Sequence, residues 1–139
     1  MNVKETMRPG VIWTAPETLL SEIAERMRNE DVNAMPVCEN GRVIGMVTDR
    51  DIAVRGLENR GDPRLLTARD VMSAPVVVCD ENLELAHAVG IMRLKRIRHL
   101  PVIGQDCCLV GMLSLADIAA KGPDSLAAET LRAVSKLHT

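Results

Sequence analysis

Aromatic side chains are almost missing from this chain: Trp13 is the only one, with no Tyr and no Phe among 139 residues. Binding of single-stranded nucleic acid through stacked bases needs such platforms and is thereby excluded. A surplus of one charge is missing too. With 17 basic and 19 acidic residues the net charge is −2, so no long-range field draws the chain to nucleic acid or to an anionic membrane. Any phosphate chemistry has to be local. No apolar run approaches the roughly 20 residues of a membrane span, and Met1-Asn2-Val3-Lys4-Glu5-Thr6 lacks the apolar stretch of a signal peptide. The expectation is a soluble cytoplasmic protein with neither nucleic-acid nor membrane partners.

Cysteine is sparse and unpatterned. Cys38, Cys79, Cys107 and Cys108 include no CxxC spacing, and no His is placed to complete a zinc set, so no metal site is expected. Buried, reduced thiols are the default for such residues. Cys107-Cys108 follows Gly104-Gln105-Asp106 in a polar turn, where one of the pair is expected to be exposed and oxidisable. No Ser-His-Asp, Cys-His or paired-carboxylate arrangement falls at motif spacing, which points away from an enzyme.

What is present is aliphatic: 47% hydrophobic residues, eight of them Met, enough for a core of Val, Ile, Leu, Ala and Met. These residues are written twice. Met7 with Met72, Thr14 with Cys79, Met27 with Met92 and Pro36 with Pro101 share an offset of 65. After one inserted residue near Gln105, Gly45 with Gly111, Asp51 with Asp117 and Gly56 with Gly122 share an offset of 66. A unit of about fifty residues buries too little surface alone, so packing of the copies against each other is expected.

Within the first copy, Val11–Thr14 reads as a short strand and Glu17 to Asn29 as a helix, with Leu19, Leu20, Ile23, Ala24 and Met27 at helical spacing. Met35–Cys38 and Arg42–Val47 read as a hairpin around Glu39-Asn40-Gly41, and a short helix runs from Thr48 to near Gly56. The second copy repeats this order: strand Val76–Val78, helix Glu81 to Lys95, strands His99–Ile103 and Leu109–Leu113, helix Ser114 to Lys121. Pro36 and Pro101 are expected near strand starts, where a missing N–H is tolerated. The organisation predicted is a first repeat over 1–56, a linker over 57–67, a second repeat over 68–122 and a C-terminal amphipathic helix within 123–139. That helix carries Leu126, Ala127, Thr130, Leu131, Val134 and Leu137 on its apolar stripe. His87 and His138 are read as surface helix positions, and Arg93, Lys95, Arg96 and Arg98 as a solvated helix end set against the dipole.

The most informative stretch is Gly45-Met46-Val47-Thr48-Asp49-Arg50-Asp51-Ile52, which returns as Gly111-Met112-Leu113-Ser114-Leu115-Ala116-Asp117-Ile118. In each, a strand leads into a hydroxyl residue, and a carboxylate follows three positions later. That spacing is a capping box at a strand-to-helix junction, allowing Asp for Glu. Helix starts carry unpaired N–H groups and a positive dipole end, so the junctions suit an anion. Capping alone would also explain the spacing.

The pattern resembles a tandem pair of CBS domains, the cystathionine-β-synthase-type repeat whose two copies form a Bateman module. The resemblance covers about residues 3 to 122 and rests on the β-α-β-β-α order, on Met35-Pro36-Val37 and Leu100-Pro101-Val102, and on the doubled Gly-h-h-Thr/Ser-x-x-Asp motif, h being apolar. It implies an α/β (α+β) fold of two such repeats related by pseudo-two-fold symmetry, plus the C-terminal helix, as in stand-alone two-repeat proteins of bacteria and archaea. It further implies a cleft between the repeats that takes an adenosine-containing regulatory ligand: AMP, ADP, ATP or S-adenosylmethionine. Asp51 and Asp117 would then accept from ribose hydroxyls, and Thr48 and Ser114 would hold phosphate. Ile12, Thr14, Val77 and Cys79, with Met35, Pro36, Leu100 and Pro101, would wall an adenine slot. Arg98, His99 and Arg50 would supply cations. The copies differ here: Asn33 and Ala34 stand where the second has Arg98 and His99, and Ala116 stands where the first has Arg50.

Three functions compete on this reading. The first is a non-catalytic sensor whose ligand shifts its shape or its oligomeric state, with an unidentified regulated protein as partner. The second is a ligand-free scaffold, a homodimer closed through the helices Glu17 to Asn29 and Glu81 to Lys95. The third is a thiol-dependent redox protein using Cys107-Cys108, disfavoured because adjacent cysteines form strained disulfides.

Overall fold

A computed structural model describes residues 1–58 and 61–137, with side chains described through Arg132. The elements are β1 (Arg8–Pro9), α1 (Leu20–Glu30), β2 (Ala34–Glu39), β3 (Arg42–Thr48), α2 (Asp49–Glu58), α3 (Ala68–Val71), β4 (Cys79–Asp80), α4 (Leu85–Lys95), β5 (His99–Ile103), β6 (Leu109–Ser114), α5 (Leu115–Lys121) and α6 (Asp124–Leu137). Single 3-10 turns lie at Val3–Glu5, Pro63–Leu65 and Gln105–Cys107. The fold is therefore mixed α and β, with the predicted helix, hairpin and second helix present in that order in each copy.

The chain divides into two compact units, and the division is not sequential. Ile12–Val76 forms one; Met1–Val11 joins Val77–Thr139 to form the other. Backbone hydrogen bonds explain why. The first N–H of α4, that of Leu85, donates to the carbonyl of Met1 at 3.0 Å, and the N–H of Leu20 in α1 donates likewise to Leu66 at 3.0 Å. Helix starts have orphan donors, and in each unit an extended segment supplies the acceptor. The same segments then run on to a strand: β1 pairs with β6 through Arg8↔Met112 and Pro9↔Gly111, while Ser73 bridges Met46 of β3. The stretch predicted to open each copy thus belongs to the other copy's unit.

The motif glycines sit under these crossings. A Cβ on Gly111 would lie 2.5 Å from Met7 Sδ and 2.8 Å from the Arg8 carbonyl oxygen; on Gly45 it would lie 2.7 Å from Met72 Sδ and 3.0 Å from the Ser73 carbonyl oxygen. At Gly111 the backbone contact is too short for any side chain; at Gly45 it is tight, and the shorter contact meets the flexible end of Met72, so close backbone approach favours glycine at both and most strongly at Gly111.

In the unit of Ile12–Val76, β2 and β3 form an antiparallel pair with a register shift between Val37 and Cys38. Ile23, Met35, Val37, Val47, Ala68 and Val71 are buried in its core. In the other unit the sheet order is β1-β6-β5-β4, and Val3, Leu85, Val89, Met92, Leu100, Val102, Leu113 and Ile118 make the core. Each fully buried aliphatic side chain contributes about 1.5–3 kcal/mol.

Three local expectations are corrected. The predicted strand Val11–Thr14 is reduced to one bridge, Thr14 to Val37, and the second copy's strand lies at Cys79–Asp80 instead of Val76–Val78. A strand needs a neighbour alongside, and only Thr14 has one: its N–H donates to the Pro36 carbonyl and its carbonyl accepts from the Cys38 N–H. Helices α1 and α4 start three to four residues later than expected, since Leu19 and Glu84 are extended N-caps bridged to Thr67 and Asn2. Pro36 and Pro101 lie at the third strand position, paired with Met46 and Met112, rather than at the strand start.

Helix α6 packs on α5 and α4. Thr130 is fully buried, its hydroxyl donating to the Leu126 carbonyl at 2.6 Å, and Arg93 pairs with Glu129 at 2.6 Å. Leu131 turns outward at 59% exposure and leaves the predicted stripe. Val134 and Leu137 lie outside the residues whose side chains are described, and His138 outside the described residues altogether. No described helix is long and apolar enough to cross a membrane.

Candidate functional site

The strand-to-helix junctions form as their spacing demands. At the first, Thr48 ends β3, the Asp51 N–H donates to Thr48 Oγ1 at 3.1 Å, and the Thr48 N–H donates to Asp51 Oδ2 at 2.9 Å. At the second, the Asp117 N–H donates to Ser114 Oγ at 3.0 Å and the Ser114 hydroxyl donates to Asp117 Oδ2 at 2.8 Å. Each hydroxyl caps the first turn of its helix by accepting from the N–H of the acid; the first junction is also a reciprocal box, whereas at the second the carboxylate is met by the serine hydroxyl rather than by its backbone N–H.

Their surroundings differ. Asp51 is half-buried, and among the described residues its hydrogen bonds are made inside its own capping box. The Asp117 side chain is 6% exposed, and its second oxygen, Oδ1, accepts from Arg8 Nε at 3.1 Å. Arg8 enters from β1 and is a residue that pattern-reading passed over. The signal was available: continuing the offset of 65 back from Met7 and Met72 pairs Val3 with Ala68 and Arg8 with Ser73. That shows an extra segment on each copy and a cation on only one.

The adenine-slot candidates separate into two groups. Met35 and Leu100 are fully buried in the cores of their own units, and Pro36, Pro101, Thr14 and Cys79 are buried within or beside the strands. Ile12 and Val77 are half-buried against those cores. Burial pushes the Cys38 thiol up, and burial with the neighbouring Asp80 charge pushes Cys79 up to about 11, so both stay protonated and unreactive at neutral pH. Arg50 is exposed on α2, and its N–H donates to Asp49 Oδ1 at 2.8 Å. Arg98 is exposed and His99 half-buried; His99 pairs in register with Ser114, so the second junction and these residues share the open end of the β5–β6 hairpin. Both Cys107 and Cys108 are exposed, where one was expected to be.

A CBS domain model matches residues 3–57 and again 68–123. The chain belongs to the CBS-domain family. It is 31% identical to Hypoxic response protein 1 of Mycobacterium tuberculosis over 94% of this chain and 92% of that protein. The crystal structure of Hypoxic Response Protein I with two coordinated zinc ions matches at a TM-score of 0.79 and 32% identity, covering 88% of this CBS pair and all of that chain. Among the described residues here, no group of three or more His, Cys, Asp or Glu is placed to hold a metal ion. Two further structures share the fold: the CBS domain pair of protein MJ0100 in complex with 5-methylthioadenosine and S-adenosyl-L-methionine (TM-score 0.77, 22% identity, 86% and 94% coverage), and CBSX2 in complex with AMP (0.72, 20%, 92% and 98%).

Proposed function

We propose that this CBS pair is a non-catalytic regulatory module that binds an adenosine-containing ligand, AMP, ADP, ATP or S-adenosylmethionine, through its strand-to-helix junctions, with the Thr48–Asp51 junction leading. The observation that carries this is the contrast between two hydroxyl-then-acid caps: Asp117 is already held by a guanidinium, whereas among the described residues Asp51 keeps its partners within its own box. An ionised carboxylate at such a place accepts two hydrogen bonds from a ribose cis-diol. Arg50, one residue before Asp51 and exposed, supplies the cation for phosphate on this reading, and the start of a ten-residue helix adds its dipole. The adenosine ligands named for MJ0100 and CBSX2 support the ligand class. The protein works in the cytoplasm as a homodimer, and a regulated protein reads its state.

Thermal unfolding with AMP, ATP or S-adenosylmethionine in excess tests the reading. A ligand at about 100 times its dissociation constant adds about 2.7 kcal/mol and raises the midpoint. Asp51→Ala abolishes that rise. A flat response to all three ligands would instead favour the scaffold reading, which the exposed Leu94 of α4 (80%) and Leu57 of α2 (85%) support as interface residues.

A further inference from the structure

The four thiols fall into two chemically separate pairs. Cys38 and Cys79 are buried in the cores of their units, Cys38 in β2 and Cys79 in β4. Cys107 and Cys108 are exposed at the tip of the β5–β6 hairpin, where the chain turns through Asp106 and Cys107, both at φ 60, and the Cys108 N–H donates back to the Gln105 carbonyl at 3.3 Å. This turn puts two neighbouring nucleophiles where a small molecule reaches them and a core group does not.

Adjacency decides which oxidised product forms. Consecutive Cα atoms across a trans peptide are about 3.8 Å apart, below the roughly 4.4–6.8 Å that disulfides span, so a ring closed between neighbours is strained. An external disulfide has no such constraint. We propose that the Cys107–Cys108 tip is a reversible thiolation site that takes a low-molecular-weight disulfide as co-substrate and stops at the mixed disulfide. The step balances simply. A cysteine thiolate attacks one sulfur of the disulfide RSSR, a protein–S–SR bond forms as the S–S bond breaks, and RS⁻ leaves to take up a proton from water. The protein sulfur is oxidised and the departing thiol is the reduced product. A second exchange at the neighbouring sulfur follows the same course.

The site is independent of the ligand reading. Register places His99 and Ser114 at the open end of the hairpin and Ile103 and Leu109 at the closed end, and the strand between them is about 13 Å long at about 3.3 Å per residue. Thiolation at the tip therefore changes charge and bulk at a distance from the Ser114–Asp117 junction.

Oxidised glutathione is the probe. Folded protein incubated with it and read by intact mass and peptide mapping gains one or two glutathionyl groups, all on the peptide carrying Cys107 and Cys108, and loses them to dithiothreitol. Cys38 and Cys79 take label only in denaturant. Cys107→Ser with Cys108→Ser, a surface change that leaves the unfolding midpoint in place, takes none when folded. Three results would each overturn the proposal: no adduct on folded wild type while the denatured chain labels, adducts on Cys38 or Cys79 of the folded protein, or loss of two hydrogens from the tip peptide without any added group.

Discussion

The two halves of this protein build the same junction from different raw material. Thr48–Asp51 and Ser114–Asp117 are both hydroxyl-then-acid caps, yet the first lies half-buried and self-contained, and the second is buried under a guanidinium delivered by β1. The difference comes from the segment laid across each sheet rather than from the motif. Arg8 arrives at the second junction, and Ser73 occupies the corresponding place at the first. On the proposed function, a duplicated unit holds one copy of the junction in structural service and leaves the other for a ligand, with one residue making the distinction.

The largest expected effect breaks the crossings themselves. Gly111→Ala forces a Cβ against the Arg8 carbonyl, which is backbone and cannot step aside, and costs about 3 kcal/mol; Gly45→Ala, with about 0.2 Å more room at each contact, costs about 2 kcal/mol. Urea unfolding of the single variants measures both. Equal losses, or a milder Gly111 variant, would mean that the two crossings are not tightened unequally. Because Met7 and Met72 carry the flexible half of each clash, Met7→Ala should recover part of the Gly111→Ala loss.

Next in size is the acid at each cap. Asp117→Ala removes the acceptor of the Ser114 hydroxyl and of Arg8, and costs about 2 kcal/mol, the upper end for a cap, because Arg8 is 64% exposed and turns to water. Asp51→Ala removes only one reciprocal cap bond and costs about 1 kcal/mol. Arg8→Ala strands a buried carboxylate and should cost about as much as Asp117→Ala. The Arg8/Asp117 double variant is then less destabilised than the sum of the singles, a coupling that a double-mutant cycle reads directly. Strict additivity would remove the ion pair from the comparison. Ligand response sharpens the contrast from the other side: the midpoint shift with AMP, ATP or S-adenosylmethionine disappears in Asp51→Ala and survives in Asp117→Ala.

How far these features could be read from the sequence depends on whether their cause is local. The duplication was legible because its offset is constant, and β5 falls on the predicted His99–Ile103 because alternation, a preceding helix end and a following Gly bound it on both sides. Both hydroxyl caps follow from three-residue spacing. The segment exchange does not, since Met1–Pro9 must reach strands and helix starts some eighty or more residues away, and nothing in its own pattern names that partner. Arg8 and Asp117 stand 109 positions apart, so their pairing is a property of the fold. Likewise, Met35 and Leu100 come to the slot only through the family resemblance, and their full burial in the cores of their units is a matter of packing that their own positions do not announce.

The smallest expected difference between the halves is one of titration. Position 14 in the first copy is Thr, and the equivalent position 79 is Cys, both buried beside the central strand of their units. Only the second can lose a proton at alkaline pH. The Cys79 thiol, ordinarily near 9, is raised to about 11 in the folded state by burial and the Asp80 charge. Between those values the unfolded chain releases the proton while the folded chain keeps it, so the folded state binds more protons and stability falls as pH rises. Cys38 contributes in the same direction from the other unit. In Cys79→Val the thiol is replaced by an apolar side chain of similar bulk, and the decline of the unfolding midpoint from about pH 9 toward 11 should be shallower than in wild type, whatever the offset at pH 7. Parallel pH curves for the two proteins would mean that the buried thiol titrates alike in both states, and the two halves would then differ at this position in packing alone.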